Sequence, residues 1–516
     1  MAHQSRNTMP FEDIQQAGSN NETIVVEENV AITNPHPQDI LDVEFYARAL
    51  IIYSHFQQQQ EDRLHSRYFE SATRPGRSSS DLSHKQANTK PKYDGPRQTD
   101  ATSDVRAFVN AWALLLSRSR NGPKQVTAAA LRRTSNKYTL FIAKNYDPSQ
   151  YDRKMINTIC AWMNSRSQQD GLNPETEDVW KDILIYAKKR IRYYLGFIRR
   201  SKSIKCHDDL KFSNRWNNAG KDRRSVTFLS DLCSLLDEIG RGDHSSSNFY
   251  NEIMLKCHKF VMDNAGIIRE AEELLKEFLG DSCDPCLAWK PLRFVITGIE
   301  KLAKMRKAFD DLIKFRKLHI TDKAQLEVIH IEPCRESDLQ YRPCMSNIRA
   351  RIGELAGGNA YQHIRDKLYR VAENIQADQD PRMIVHCEIQ ILNYILCEKN
   401  QIRLQEMYDF IGCSKTPCFL CAGTIHLGTS FNVADPHWKL YWKWGIPRSL
   451  MRHSDIAHAI ASLRYKMDDI LQDQKHRPSE ESVLNKSPGE DGCNNDWIWN
   501  PDLASESPVM SYPVVD

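Results

Sequence analysis

The chain has 516 residues, 41% of them apolar and 27% charged, with a net charge of +3 from 70 basic and 67 acidic residues. At roughly 150 residues per domain this length suggests about three domains. The near balance of charge excludes a uniformly basic histone-like protein and a wholly acidic disordered one. No stretch approaches ~18 uninterrupted apolar residues, so no membrane span is expected. The first residues, MAHQSRNTMPFEDIQQ, lack an apolar h-region and predict no secretory signal. Fourteen cysteines without such a signal predict reduced thiols or metal ligands, not a disulfide framework. The expected compartment is therefore intracellular, cytoplasmic or nuclear.

Residues 1–102 read as largely disordered with one short helix. IVVEENVAI is a weak strand candidate, and Asp42 to Phe56 reads as the helix. From Pro75 to Ser103 the only large apolar residues are Leu82 and Tyr93, so this stretch cannot bury a core and reads as a linker. Residues 1–100 are accordingly expected to be dispensable for folding.

Residues 103–319 read as a helical region. Ser103 is the expected N-cap for a face of Val105, Phe108, Val109, Trp112 and Leu116. Asn173-Pro174 opens a second helix, with Glu175, Glu177 and Asp178 at its positive end. Its apolar face is Trp180, Ile183, Ala187, Ile191, Tyr194 and Ile198. Two further helical patterns cover about 249–279 and 293–318.

The pattern changes over residues 320–474. LEVIHIEP is a β-branched run closed by a proline, which predicts a strand. Tyr361 to Ile375 reads as helix, MIV as a short strand, Ile389 to Leu396 as helix, and MYDFIG as another strand. Cys418 to Leu427 reads as a short helix, Trp438 to Trp444 alternates like a half-buried strand, and a last helix covers about Asp455 to Gln472. Alternating strands and helices predict an α/β layer. Residues 475–516 form an acidic tail: from Pro478 onward there are eight acidic residues, one lysine and five prolines.

The chemistry concentrates in His386-Cys387-Glu388 and, further on, Pro417-Cys418-Phe419-Leu420-Cys421. A C-x-x-C pair at a helix start puts two thiols on one face, with Thr416 as expected cap and Pro417 in the first turn. The free N–H groups and helix dipole there lower thiol pKa values. Two thiolates and one imidazole make three ligands for Zn2+ and leave one tetrahedral position open, as in catalytic sites. Such a site yields hydroxide near neutral pH. His386 and Glu388 point to different sides of a regular helix, but at a strand-to-helix junction both reach one pocket. Glu388 then stands beside the metal as a proton shuttle and not as a ligand. On spacing alone a structural zinc site stands level with this reading, with Cys413 or His426 as its fourth ligand.

The pattern H-x-E…P-C-x-x-C is the signature of zinc-dependent nucleobase deaminases. Together with the tail Tyr441-Trp442-Lys443-Trp444-Gly445-Ile446-Pro447, it resembles the cytidine deaminase superfamily, in its fungal and bacterial nucleic-acid or nucleotide deaminase-like branch. The similar stretch runs from about His386 to Pro447. The resemblance implies His386, Cys418 and Cys421 as zinc ligands and Glu388 as general acid/base. It implies a mixed sheet flanked by helices, with both metal motifs at helix N-termini. It implies hydrolytic deamination of a nucleobase in nucleic acid or a nucleotide, with metal-bound hydroxide as nucleophile. One departure is Cys387, where such families usually have alanine. Cys387 either packs in its place or occupies the open zinc position and silences the enzyme. The rival reading is therefore a catalytically silent, zinc-stabilised module that binds nucleic acid or protein.

Two weaker signals remain. Cys283-x-x-Cys286 follows Cys257-His258, but Cys257 lies among Ile253, Phe260 and Val261 and reads as a core cysteine. Lys188 to Arg224 carries 13 Lys/Arg against three Asp, with Tyr193, Tyr194, Phe197, Phe212 and Trp216 interleaved. That mixture suits single-stranded nucleic acid; the plain alternative is a solvated helix face over core aromatics.

Overall fold

The computed structural model describes residues 45–49, 51, 101–118, 126–165, 174–202, 223–242, 246–268, 285–321, 324–340, 345–358, 365–377, 383–434 and 443–475. The strand expected in IVVEENVAI, the acidic tail, Phe212, Trp216, Cys283, Trp438 and Trp442 lie outside them.

Helix α1 (Ser103–Leu115) is capped by Thr102, whose hydroxyl accepts from Val105 N–H, one residue before the expected cap. Strands β1 (Thr127–Thr134) and β2 (Lys137–Lys144) follow as an antiparallel hairpin with Thr134 opposite Lys137. The helical reading of 103–319 missed these strands. Helices α2 (Gln150–Asn164), α3 (Pro174–Tyr186), α4 (Lys188–Lys202), α5 (Arg223–Arg241), α6 (Ser247–Asp263) and α7 (Pro285–His319) come next. The predicted face Trp180, Ile183, Ala187, Ile191, Tyr194 and Ile198 is buried throughout, shared between α3 and α4.

The chain then returns to the sheet as β3 (Gln325–Ile331) and passes through α8 (Met345–Gly357) and α9 (Arg365–Ala377). Next come β4 (Ile384–Val385), α10 (Cys387–Leu396), β5 (Met407–Cys413), α11 (Phe419–Gly428), β6 (Asn432–Val433) and β7 (Trp444–Gly445). Helices α12 (Arg448–Met451) and α13 (Ser454–Lys475) complete the described chain. No helix among the described residues is long and apolar enough to cross a membrane.

The main sheet is mixed, five-stranded, in the order β3-β2-β1-β5-β6. β1 is antiparallel to β2 and β5, whereas β3 runs parallel to β2 and β6 parallel to β5. It therefore takes strands from both sides of residue 320. β4 and β7 make a separate parallel pair, with Ile384 opposite Trp444 and Val385 opposite Gly445. The architecture is α/β with flanking helices, as the resemblance implies.

Alternation along the strands divides the sheet into two faces. Ala129, Leu131, Tyr138, Leu140, Ile142, Tyr408 and Phe410 join a core built with α1–α7. Phe108 of α1 stacks on Phe315 of α7 with ring centroids 3.7 Å apart. Ala128, Ala130, Phe141, Ala143, Met407 and Ile411 face the other core, which holds α8–α13 and Cys418 and Cys421. α1 crosses β5 so closely that a Cβ at Gly412 would stand 2.8 Å from the Asn110 backbone nitrogen. Glycine is therefore required there.

Phe45, Tyr46, Ala47, Ala49 and Ile51 are also buried in this second core, with 45–49 helical. This packing speaks against the expectation that residues 1–100 are dispensable for folding. The local pattern showed an apolar helix but not what it docks against.

Candidate metal centre

Two helix starts build the site. β4 leads into His386, the N-cap of α10, which sits in extended backbone conformation and makes no side-chain cap bond. Its ring is turned elsewhere, which leaves the first N–H groups of α10 in need of acceptors. Asn145, immediately after β2, supplies one: Cys387 N–H donates to Asn145 Oδ1 at 2.8 Å, both residues buried. Gln390 Nε2–H donates to Val385 O at 2.7 Å and closes the junction from within.

α11 begins at Phe419, and its cap is not Thr416 as expected. Cys418 is the N-cap, and its Sγ accepts from Cys421 N–H at 3.4 Å. Pro417 thus stands before the helix. The thiol takes the part that a serine or aspartate usually plays, so the positive end of α11 faces Cys418 directly.

The two helix starts meet. His386 Nδ1 lies 3.5 Å from Cys418 Sγ and 3.4 Å from Cys421 Sγ. The three donor atoms all fall within 4.8 Å of one another. Tetrahedral zinc, with Zn–N of about 2.0–2.1 Å and Zn–S of about 2.3 Å, places nitrogen and sulfur about 3.6 Å apart. The spacing and donor chemistry of the three side chains therefore fit zinc. Among the described residues they form a group of three, which neither Cys387, Cys413 nor His426 joins. His426 is exposed on α11. Trp444, fully buried, donates its indole N–H to Cys421 Sγ at 3.3 Å.

Glu388 lies in the first turn of α10 and is buried. The Cys387 thiol donates to Glu388 Oε2 at 3.5 Å. Cys413, the last residue of β5, directs its thiol to Ile411 O at 3.9 Å and lies close enough to Glu388 to feel its charge. The carboxylate is thus flanked by two thiols.

Electrostatics follow from burial and mutual charge. Burial opposes the Cys418 thiolate, but hydrogen bonding from Cys421 and the His386 charge hold its pKa well below the ordinary thiol value. Burial would lower the His386 pKa, yet the neighbouring Cys418 charge raises it. Burial raises the Glu388 pKa above the usual carboxylate range, with His386 opposing. Burial and the Glu388 charge push the Cys387 and Cys413 thiols well up, so both stay protonated. A thiol held toward its thiolate form beside an imidazole suits metal binding, which needs deprotonated sulfur.

The basic stretch belongs elsewhere. Arg190 is buried and donates to Leu114 O at 2.9 Å and Ser117 O at 3.0 Å. Arg192 Nε–H donates to Tyr250 OH at 3.0 Å, and Tyr194 is core. These residues pack on the sheet face opposite the cysteine cluster. Cys257 is buried in the same core, as expected for a structural cysteine.

Sequence reasoning placed His386, Glu388, Cys418 and Cys421 together, and the fold brings them together. It missed Asn145 and Tyr46. Tyr46 OH donates to Trp444 O at 3.1 Å, across 398 positions of sequence. No local pattern marks either residue.

A family model described as an OTT_1508_deam-like deaminase matches residues 385–448. No curated protein and no solved structure matches the chain. The matched segment contains His386, Glu388, Cys418, Cys421 and Trp444. With that match and the clustered His386, Cys418 and Cys421, the resemblance of this part of the chain to the cytidine deaminase-like family is shown.

Proposed function

We propose that this protein is a zinc-dependent hydrolytic deaminase acting on a nucleobase in a nucleotide or nucleic acid. The observation that carries the reading is the trio His386, Cys418 and Cys421 at nitrogen–sulfur distances of 3.4 and 3.5 Å, with buried Glu388 two residues beyond His386. The deaminase family match over the same residues supports it.

His386, Cys418 and Cys421 would hold the metal. Zinc bound there supplies Lewis acidity that brings the ionisation of water toward neutral pH. Glu388 does the proton work. Its buried carboxylate, with a raised pKa, is suited both to take a proton from water and to return it. It takes one on an Oε atom and gives it to the ring nitrogen next to the amino-bearing carbon. It then takes the remaining proton of the added hydroxyl and delivers it to the amine, which departs as ammonia as the C–N bond breaks and the C=O bond forms. The balance is water plus amino-base giving keto-base plus ammonia. The Cys387 thiol, donating to Glu388 Oε2, fixes that oxygen and leaves the other for the substrate side. Asn145 anchors the turn that carries both His386 and Glu388.

The second reading, a catalytically silent zinc module, draws on the two thiols at Glu388. One experiment separates the two. Glu388→Gln keeps shape and is expected to keep zinc while ammonia release falls ~10²–10⁴-fold. Cys418→Ser is expected to lose metal and destabilise the domain. The assay is ammonia release from cytosine- and adenine-containing nucleosides, nucleotides and single strands. Zinc-loaded wild type and Cys387→Ala that both release nothing across that panel would leave the silent module as the answer.

A further inference from the structure

Trp444 sits between the two halves of the metal cluster. Its backbone pairs with β4, the strand that delivers His386: Ile384 N–H donates to Lys443 O at 2.6 Å, and Ile384 lies opposite Trp444 in register. Its indole N–H donates to Cys421 Sγ at 3.3 Å. On its other side the strap that carries it is pinned to the loop after β3. Leu339 pairs with Pro447, and Gln340 N–H donates to Ile446 O at 3.0 Å.

A segment remote in sequence supports this position. Tyr46 is buried in the core that also holds Trp444, Cys418 and Cys421. Its hydroxyl donates to the Trp444 carbonyl at 3.1 Å. Phe45 packs edge-on against Tyr46, with ring centroids 5.5 Å apart, and so restricts the tyrosine ring. A phenol hydroxyl buried among apolar side chains needs a partner, and this carbonyl is one. The same bond ties the backbone from which the indole projects.

An N–H donated to a thiolate draws charge from the sulfur and fixes its direction. Groups that hydrogen-bond metal ligands commonly set metal affinity and the electronic character of the bond. We propose that Tyr46 is a positioning residue of the metal centre, acting through Trp444 on the ligand Cys421. Tyr46 lies outside residues 385–448, so the metal centre draws on a part of the chain that the family match does not cover. This rests on the metal reading of the previous subsection.

The test uses full-length protein with cobalt(II) in place of zinc, because thiolate-to-cobalt charge-transfer bands report on the sulfur directly. Tyr46→Phe removes one oxygen and keeps the ring. It is expected to weaken cobalt binding about threefold to tenfold, the scale of one hydrogen bond, and to shift the charge-transfer band. Trp444→Phe is expected to weaken binding ~10–100-fold. Adding Tyr46→Phe to Trp444→Phe is expected to cost nothing more.

Ile352→Val, in α8 of the same core, controls for general loosening and is expected to leave band and affinity at wild-type values. If Trp444→Phe does not fold, the comparison of Tyr46→Phe with Ile352→Val decides. The proposal is overturned if Tyr46→Phe matches wild type in both readouts. It is also overturned if its effect persists undiminished beside Trp444→Phe, or if Ile352→Val shifts the band equally. Wild type that binds no cobalt overturns the metal reading itself, and this proposal with it.

Discussion

Lys144 closes β2 and carries a buried ion pair that a single substitution can expose. Its ammonium and the Asp152 carboxylate are paired with side-chain exposures of 2% and 6%. Lys144 also donates to Leu116 O at 2.8 Å. Lys144→Met keeps much of the volume and removes the cation. Breaking a buried pair from one side costs about 3–5 kcal/mol. Asp152 keeps donors in Ser149 N–H and Ser149 Oγ–H, and the single Tyr186 hydroxyl proton remains to serve either Asp152 or Leu116 O. The lower end, about 3 kcal/mol, is therefore expected near neutral pH.

The pH dependence has a definite sign. In the wild type burial raises the Asp152 pKa, but Lys144 and its other donors win and hold it below 3.8. Its stabilising contribution is thus complete above the unfolded value and is lost only as pH falls through the lower folded value. In Lys144→Met burial is no longer opposed by a cation, and the folded pKa moves up. The variant then regains stability as pH falls from about 7 to about 4.5, where the wild-type pair is still intact. Urea unfolding followed by tryptophan fluorescence at both pH values measures the gap. A gap under about 1 kcal/mol near pH 7, or an equal gap at both pH values, would refute the reasoning.

Two other outcomes follow from particular bonds. Asn145→Ala orphans the buried Cys387 N–H, so a loss of about 1–3 kcal/mol in thermal unfolding is expected, with weaker zinc retention against a chelator; wild-type behaviour in both would show that Asn145 does not anchor the turn. A chain starting at residue 101 loses Phe45, Tyr46 and Ile51 from the second core, and at about 1.5–3 kcal/mol per buried side chain this approaches the whole stability of a domain. Cooperative unfolding of that shortened chain at the wild-type midpoint would contradict the packing.

What the sequence made legible was local. The α3–α4 face could be read because an apolar or aromatic residue recurs every third or fourth position from Trp180 to Ile198, and all six turned out buried. The metal trio could be read because residue type and spacing specify it. The β1–β2 hairpin escaped because TAAALRRT offers alanines where strands usually show β-branched residues. Those alanines are small because helices pack on both faces of β1: Ala129 faces one core, and Ala128 and Ala130 the other. Long-range partners escaped for a plainer reason. Asn145 meets Cys387 across 242 positions and Tyr46 meets Trp444 across 398, and no periodicity encodes such pairings. Within the basic stretch charge density did not show which cations face water: Arg190 is spent on two carbonyls of the core, whereas Lys189, Arg192 and Arg199 are exposed.

The central claim is an open zinc site held by His386, Cys418 and Cys421, with Glu388 beside the metal and not bound to it. X-ray absorption at the zinc edge of the full-length protein tests it most directly. The account predicts two sulfur scatterers at about 2.3 Å and two nitrogen or oxygen scatterers near 2.0 Å, unchanged in Glu388→Gln. A shell of three or four sulfurs, reduced by one in Cys387→Ala or Cys413→Ala, would contradict it and identify a closed structural site.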